Sequence, residues 1–221
     1  MLFLADSANL EELRKLFDYF PIEGVTTNPS LLASEGKPLS KILPQLIELV
    51  GEKMLHVQLI SNKAEHMVEE AVKYQTFFGE KGNFYAKVPV TSEGYKAIPL
   101  LKKKGIKVTA TAVYTHMQAV VAARAGANYV APYVSRLDNI SSHGIEVVRD
   151  IVKSFNDYKM PTKVLAASFK TVDQVHRAIL AGCYAVTVNY DILEKLRSHP
   201  LTDMSVESFE RDGKNLYDIK F

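Results

Sequence analysis

The chain has 221 residues, of which 47% are hydrophobic and 24% charged, with a formal net charge of +2. That length supports a sizeable core in one domain spanning residues 1–221, and the near-neutral balance excludes nucleic acid and membrane surfaces as electrostatic partners. A lone cysteine, Cys183, excludes an internal disulfide framework. No window approaches the roughly 18 apolar residues of a membrane span. The first residues, Met1-Leu2-Phe3-Leu4-Ala5-Asp6, lack a basic stretch and a long apolar run, so the expected compartment is the cytoplasm.

Short apolar runs alternate with amphipathic stretches along the whole chain. The runs at residues 2–5, 24–26, 55–59, 84–88, 107–111, 129–132, 163–166 and 185–188 read as eight strands. Between them lie helical patterns with start and stop signals. Asn9 with Glu12, Asn62 with Glu65, and Thr171 with Gln174 have capping-box spacing. Gly105, Gly126 and Gly182 stand where helices should end. Lys102-Lys103-Lys104, just before Gly105, reads as a solvated last helical turn. Strand–helix alternation argues for a parallel sheet, and eight units argue for a closed (β/α)8 TIM barrel of the α/β class. An open doubly wound sheet is the competing architecture. It usually carries a glycine-rich turn after its first strand, whereas Asp6-Ser7-Ala8-Asn9 has no glycine. Residues 205–221 read as an extra C-terminal helix that packs on the barrel or on a neighbouring subunit.

In such a barrel, chemistry sits at the C-terminal ends of the strands. In chain order those ends deliver Asp6; Thr26, Thr27 and Asn28; Gln58; Lys87; Thr109 and Thr111; Tyr133 and Arg136; then Ser168 and Lys170. Lys87, between Ala86 and Val88, is the most informative. Burial disfavours an ammonium and frees an amine to attack a carbonyl. A structural ion pair, for instance with Asp6, is the competing reading. Asp6 also suits a helix cap, and Thr26 to Ser30 suits a turn with Pro29 opening a helix. Gln58 interrupts an apolar strand, where an amide needs a hydrogen-bonding task. Arg136 is either a surface residue near Asp138 or a phosphate ligand. Ser168 adds donors near a helix start. The six histidines show no zinc-like pairing, and no phosphate loop, GxGxxG or EF-hand is present. Metal-free, cofactor-free chemistry is expected.

Five segments are similar to those of the small transaldolases, and most similar to the fructose-6-phosphate aldolase branch. They are Gly24-Val25-Thr26-Thr27-Asn28-Pro29-Ser30, Ala86-Lys87-Val88-Pro89-Val90-Thr91, Thr111-Ala112-Val113-Tyr114, Ala131-Pro132-Tyr133-Val134-Ser135-Arg136 and Ala166-Ala167-Ser168-Phe169-Lys170-Thr171. The resemblance implies that Lys87 is the Schiff-base lysine, that Asp6 is the first-strand aspartate, and that Thr26 and Asn28 line the site. It implies that Arg136 and Ser168 hold phosphate. It also implies a ring-like homo-oligomer, up to a decamer that exchanges its C-terminal helix. Transaldolases carry glutamate where this chain has Gln58 and phenylalanine where it has Tyr133; the aldolase branch carries Gln and Tyr. Thr109 departs from both branches and is counted with the substrate-facing groups.

The function so implied is cleavage of a ketose phosphate, fructose 6-phosphate, into dihydroxyacetone and glyceraldehyde 3-phosphate. Lys87 forms the imine. Tyr133, placed by Gln58 and Thr111 through a water, moves protons. Asp6 takes the proton of the hydroxyl that becomes the aldehyde. The alternative is a transaldolase of the pentose phosphate pathway, which passes the dihydroxyacetone unit to an aldose phosphate. From outside this pair stand a barrel isomerase or decarboxylase using Lys87 as a plain cation, and a non-catalytic sugar-phosphate binding protein.

Overall fold

The computed structural model describes residues 1–79, 82–214, 216 and 217. The elements run β1 (Leu2–Asp6), α1 (Leu10–Tyr19), β2 (Ile22–Thr26), α2 (Pro29–Ser34), α3 (Leu39–Val50), β3 (Met54–Gln58), α4 (Ala64–Phe78), β4 (Asn83–Pro89), α5 (Ser92–Lys103) and β5 (Lys107–Val113). They continue as α6 (His116–Ala125), β6 (Tyr129–Pro132), α7 (Val134–Asp138), α8 (Gly144–Asp157), β7 (Lys163–Ala166), α9 (Val172–Leu180), β8 (Ala185–Val188), α10 (Tyr190–Arg197) and α11 (Pro200–Gly213). Each strand pairs in parallel with its neighbours, and β1 pairs with β8, so the sheet closes into a barrel. This is a (β/α)8 barrel with a C-terminal helix.

The strands alternate their side chains between two cores. Outward-facing Ala5, Val25, Val57, Ala86, Val108 and Val186 pack with the inner faces of the helices, such as Leu13, Leu46 and Ile98. Inward-facing Leu4, Met54, Tyr85, Tyr129, Leu165 and Ala185 fill the lower half of the barrel. Gly94 shows how tightly the layers meet. A Cβ there would come within 1.9 Å of the Pro89 carbonyl oxygen, so only glycine lets α5 start so close to the end of β4.

The helix ends follow side-chain chemistry, with some differences from the expected caps. Asn9 accepts from the amides of Glu11 and Glu12, but the Glu12 carboxylate turns to the Ser7 hydroxyl instead of closing a box. Asn62 is not a cap. Helix α4 begins after Lys63, and the Ala64 amide is satisfied from another helix, by Glu93. Thr171 does cap α9, while the Gln174 amide oxygen accepts from Lys170. The complete box is Thr115 with Gln118, at the start of α6. Gly105, Gly126 and Gly182 take positive φ after α5, α6 and α9, as expected of helix stops. The lysine run ends α5, and Cys183 is buried. Helix α11 starts at Pro200, earlier than the pattern suggested, and buries none of its described residues. Asn215 and residues 218–221 of the expected helix lie outside the described residues. No helix among the described residues is long and apolar enough to cross a membrane.

Candidate active site

A cavity of about 600 Å³ opens at the C-terminal ends of the strands. Asp6, Thr26, Asn28, Gln58, Lys87, Thr111, Tyr133, Arg136 and Ser168 all line it. Nine residues from seven strand ends thus converge on one space. Thr109 is the exception. It is fully buried below the cavity, where its hydroxyl meets Nδ1 of His56 at 2.9 Å.

Lys87 comes up from the middle of β4 between two buried apolar neighbours and is 6% exposed. Its Nζ donates to the carbonyl oxygen of Thr27 at 2.7 Å. No ion pair within 4.0 Å joins it to Asp6, although the two charges act on each other. Burial pushes the amine's pKa below the ordinary lysine value, opposed by the charge of Asp6. Asp6 shows the mirror image. Burial pushes its carboxyl upward, while Lys87 and the Thr26 hydroxyl pull it down. Burial thus favours the free amine of Lys87, its nucleophilic form, and makes the Asp6 carboxylate a stronger base.

Asp6 is not a helix cap, since Asn9 holds that place. Its Oδ1 accepts from the Thr26 hydroxyl at 2.6 Å, and Thr26 Oγ1 lies 2.6 Å from Thr187 Oγ1. This chain of three polar groups from β1, β2 and β8 fixes the carboxylate's position. Asn28 caps α2 through its side-chain oxygen, which accepts from the Leu31 amide, and so leaves its NH2 group for the cavity.

Across the cavity the Tyr133 hydroxyl lies 2.9 Å from Thr111 Oγ1. Gln58 lines the same cavity. Burial raises the Tyr133 pKa, with Thr111 and Arg136 opposing, so the phenol is held as a proton donor near neutrality. The Arg136 guanidinium stacks on the Tyr133 ring at 4.8 Å and donates to the Tyr114 hydroxyl. It leaves Asp138 to the Gly144 amide and Gln174. Ser168 sits on a backbone with φ of +62°, an uncommon conformation for a non-glycine residue, at the mouth of the same cavity.

Sequence reasoning missed Thr187 and Asn189, which also line the cavity. The period-2 alternation Ala185, Thr187 along β8 places a hydroxyl on the inner face, and that signal was readable. Among the described residues, no three of His, Cys, Asp and Glu gather in a way that could hold a metal ion.

A closed (β/α)8 barrel whose strand ends bring a buried lysine, a carboxylate and an arginine into one cavity has the layout of a barrel enzyme. Comparison with known proteins narrows the class. The profile of the family described as Transaldolase/Fructose-6-phosphate aldolase matches residues 3–220. A probable transaldolase from Thermoanaerobacter sp. (strain X514) is 39% identical over 214 residues, covering 97% of each chain. The chain belongs to the transaldolase/fructose-6-phosphate aldolase family, and is an enzyme of that family.

Proposed function

We propose that this protein is a Schiff-base aldolase that cleaves fructose 6-phosphate into dihydroxyacetone and glyceraldehyde 3-phosphate without a metal. The observation that carries the reading is the Lys87 amine. It is buried, biased toward neutrality, anchored on Thr27 and open to the cavity. Arg136 and Ser168 at the rim take the phosphate, through a planar fork and a hydroxyl respectively. Lys87 adds to the C2 carbonyl, the carbinolamine loses water, and the resulting iminium accepts the electron pair of the C3–C4 bond as it breaks. Asp6 takes the proton of the C4 hydroxyl, which becomes the aldehyde. Its raised pKa suits a base that must later return that proton. Tyr133, held by Thr111, exchanges protons with the departing and entering water. Gln58 and Thr26 orient the dihydroxyacetone unit together with the free NH2 group of Asn28. The whole chain acts as one barrel domain, and the exposed α11 serves contacts between subunits of a homo-oligomer.

Transfer to an aldose phosphate is the second reading, favoured by the name of the 39% identical relative. The two differ only in the fate of the enamine. The Gln58 and Tyr133 pair supports protonation and release. Two measurements decide the matter. Borohydride treatment in the presence of fructose 6-phosphate should add a reduced adduct to the peptide containing Lys87, and no adduct would exclude imine chemistry. Glyceraldehyde 3-phosphate should then be released without added erythrose 4-phosphate. Release only with that acceptor would make the enzyme a transaldolase.

A further inference from the structure

The opposite end of the barrel carries a second concavity, of about 700 Å³, where β4 to β7 begin. Five cations line it, Lys102, Lys107, Arg124, Lys159 and Lys163, and no carboxylate does among the described residues. The whole chain carries only +2, so this groove concentrates more positive charge than the net charge of the molecule. None of the described ion pairs involves any of the five. Its floor is aromatic. Lys107 Nζ lies 5.1 Å from the Tyr85 ring centre, Tyr85 packs edge-on to Tyr129, Tyr129 packs against Tyr184, and Lys163 Nζ lies 5.2 Å from the Tyr184 ring centre. A row of three rings thus carries an ammonium group at each end, with Tyr85 and Tyr129 lining the groove itself.

Helix dipoles account for part of this charge and not for all of it. Helices α5, α6 and α8 end at this face, and each C-terminus acts as roughly half a negative charge. Five cations exceed three such ends. They are also not used as caps. The carbonyls at the helix ends are taken by backbone amides, such as those of Lys104, Gly105 and Gly126. Lys107 donates to Asn83, and the other four donate no described side-chain hydrogen bond. Lys159 adds a further point. After α5, α6 and α9 the left-handed position is glycine, but after α8 it is Lys159, with φ of +49°. A cation stands in this groove at a position whose backbone favours glycine.

We propose that this groove is a binding site for a small anion carrying two or more phosphate groups, separate from the active site and reached from the other face of the barrel. Lysine and arginine around a concave, partly apolar floor are the chemistry that holds such groups. The site would respond to phosphorylated compounds without competing for the cavity of Lys87.

Titration calorimetry on the full chain at constant ionic strength tests this, with inorganic tripolyphosphate and a sugar bisphosphate as probes. Saturable binding of one anion per chain is expected, unchanged in Arg136→Gln, which alters only the active-site rim. Lys107→Gln/Lys163→Gln should weaken it tenfold or more, and Lys102→Gln/Arg124→Gln should do the same from the other wall. All four side chains are exposed, so both double variants should fold and keep aldol activity. Tighter binding of tripolyphosphate would assign the groove to inorganic polyphosphate, and tighter binding of the bisphosphate to a phosphorylated metabolite. Binding lost in Arg136→Gln but kept in both double variants would overturn the proposal. So would a weak, non-saturating response that sulfate reproduces, because that is screening alone.

Discussion

Along five strands the inner face ends in Asp6, Thr26, Gln58, Lys87 and Thr187, and two residues earlier the same face carries Leu4, Gly24, His56, Tyr85 and Ala185. One step of the pleat, about 7 Å at the usual rise per residue, turns a reactive cavity into a packed plug. The difference teaches how the barrel makes its chemistry. The plug excludes water from below, and burial above it biases Lys87 and Asp6 toward neutrality. His56 and Thr109 break the pattern. They form a polar pair inside the apolar layer, and His56 Nε2 has no hydrogen-bond partner among the described residues.

The largest effect should come from the upper layer. Lys87→Met should lower activity on the order of a thousandfold or more, since a nucleophile lost from a covalent mechanism is not replaced. The same change should leave stability unchanged or raised, because a similar-sized apolar chain replaces an amine whose burial disfavours its charge. Melting curves and product assays on one preparation check both halves. A variant that unfolds would make Lys87 a structural residue, and an active one would remove it from the chemistry.

The lower layer should behave the opposite way. Thr109→Val keeps shape but strips His56 of its hydrogen bond, at a cost of about 1–3 kcal/mol. For a chain of this size each kcal/mol moves Tm by about 2–4 °C. Thr109 lies outside the cavity, so kcat/KM should change less than tenfold; a larger loss with intact stability would return Thr109 to the substrate. The pair should also mark the acid side of the stability curve. Burial, and secondarily the charge of Lys87, hold the His56 pKa well below its ordinary value near 6.5. The folded state therefore keeps the imidazole neutral, and its contribution is present above pH 6.5 and lost as pH falls below that value. Urea unfolding at pH 8 and pH 5.5 should show wild type losing more stability than His56→Leu/Thr109→Val, which has nothing there to protonate. Equal losses would move the acid sensitivity elsewhere.

The contrast between the layers also shows what the sequence could say. All eight strands were readable, because apolar runs and helical periods alternate and glycines close α5, α6 and α9. Nine cavity residues were readable because polar side chains at strand ends have few other reasons to be there. For Thr187 the alternation along β8 gives the inward face but not the role, since threonine is an ordinary strand former and its chain to Thr26 and Asp6 spans β8, β2 and β1. Thr109 lies one layer deeper than the cavity, because periodicity tells in from out but not depth along a tilted barrel. The cap at α4 failed for a similar reason. Its donor is satisfied by Glu93, 29 residues away.

The smallest expected effect concerns backbone rather than side chains. Ala112 lines the cavity with φ of +57°, at the register shift between β5 and β6 that sets Thr111 against Tyr133. A left-handed alanine costs about 1–2 kcal/mol. Glycine removes that strain but gives the unfolded chain back about 0.4–1 kcal/mol of freedom. Ala112→Gly should therefore stabilise by up to about 1 kcal/mol in urea titrations, by the difference of those two costs, with an unchanged m value. Activity should fall slightly, because a looser bulge holds the Thr111 and Tyr133 contact less firmly. Ser168→Gly relieves a similar strain at φ of +62° but removes a hydroxyl from the phosphate end, so it should raise KM for fructose 6-phosphate while Ala112→Gly leaves KM alone. Raised KM in both variants would mean that the strained bulge, and not only the hydroxyl, shapes the phosphate end of the cavity.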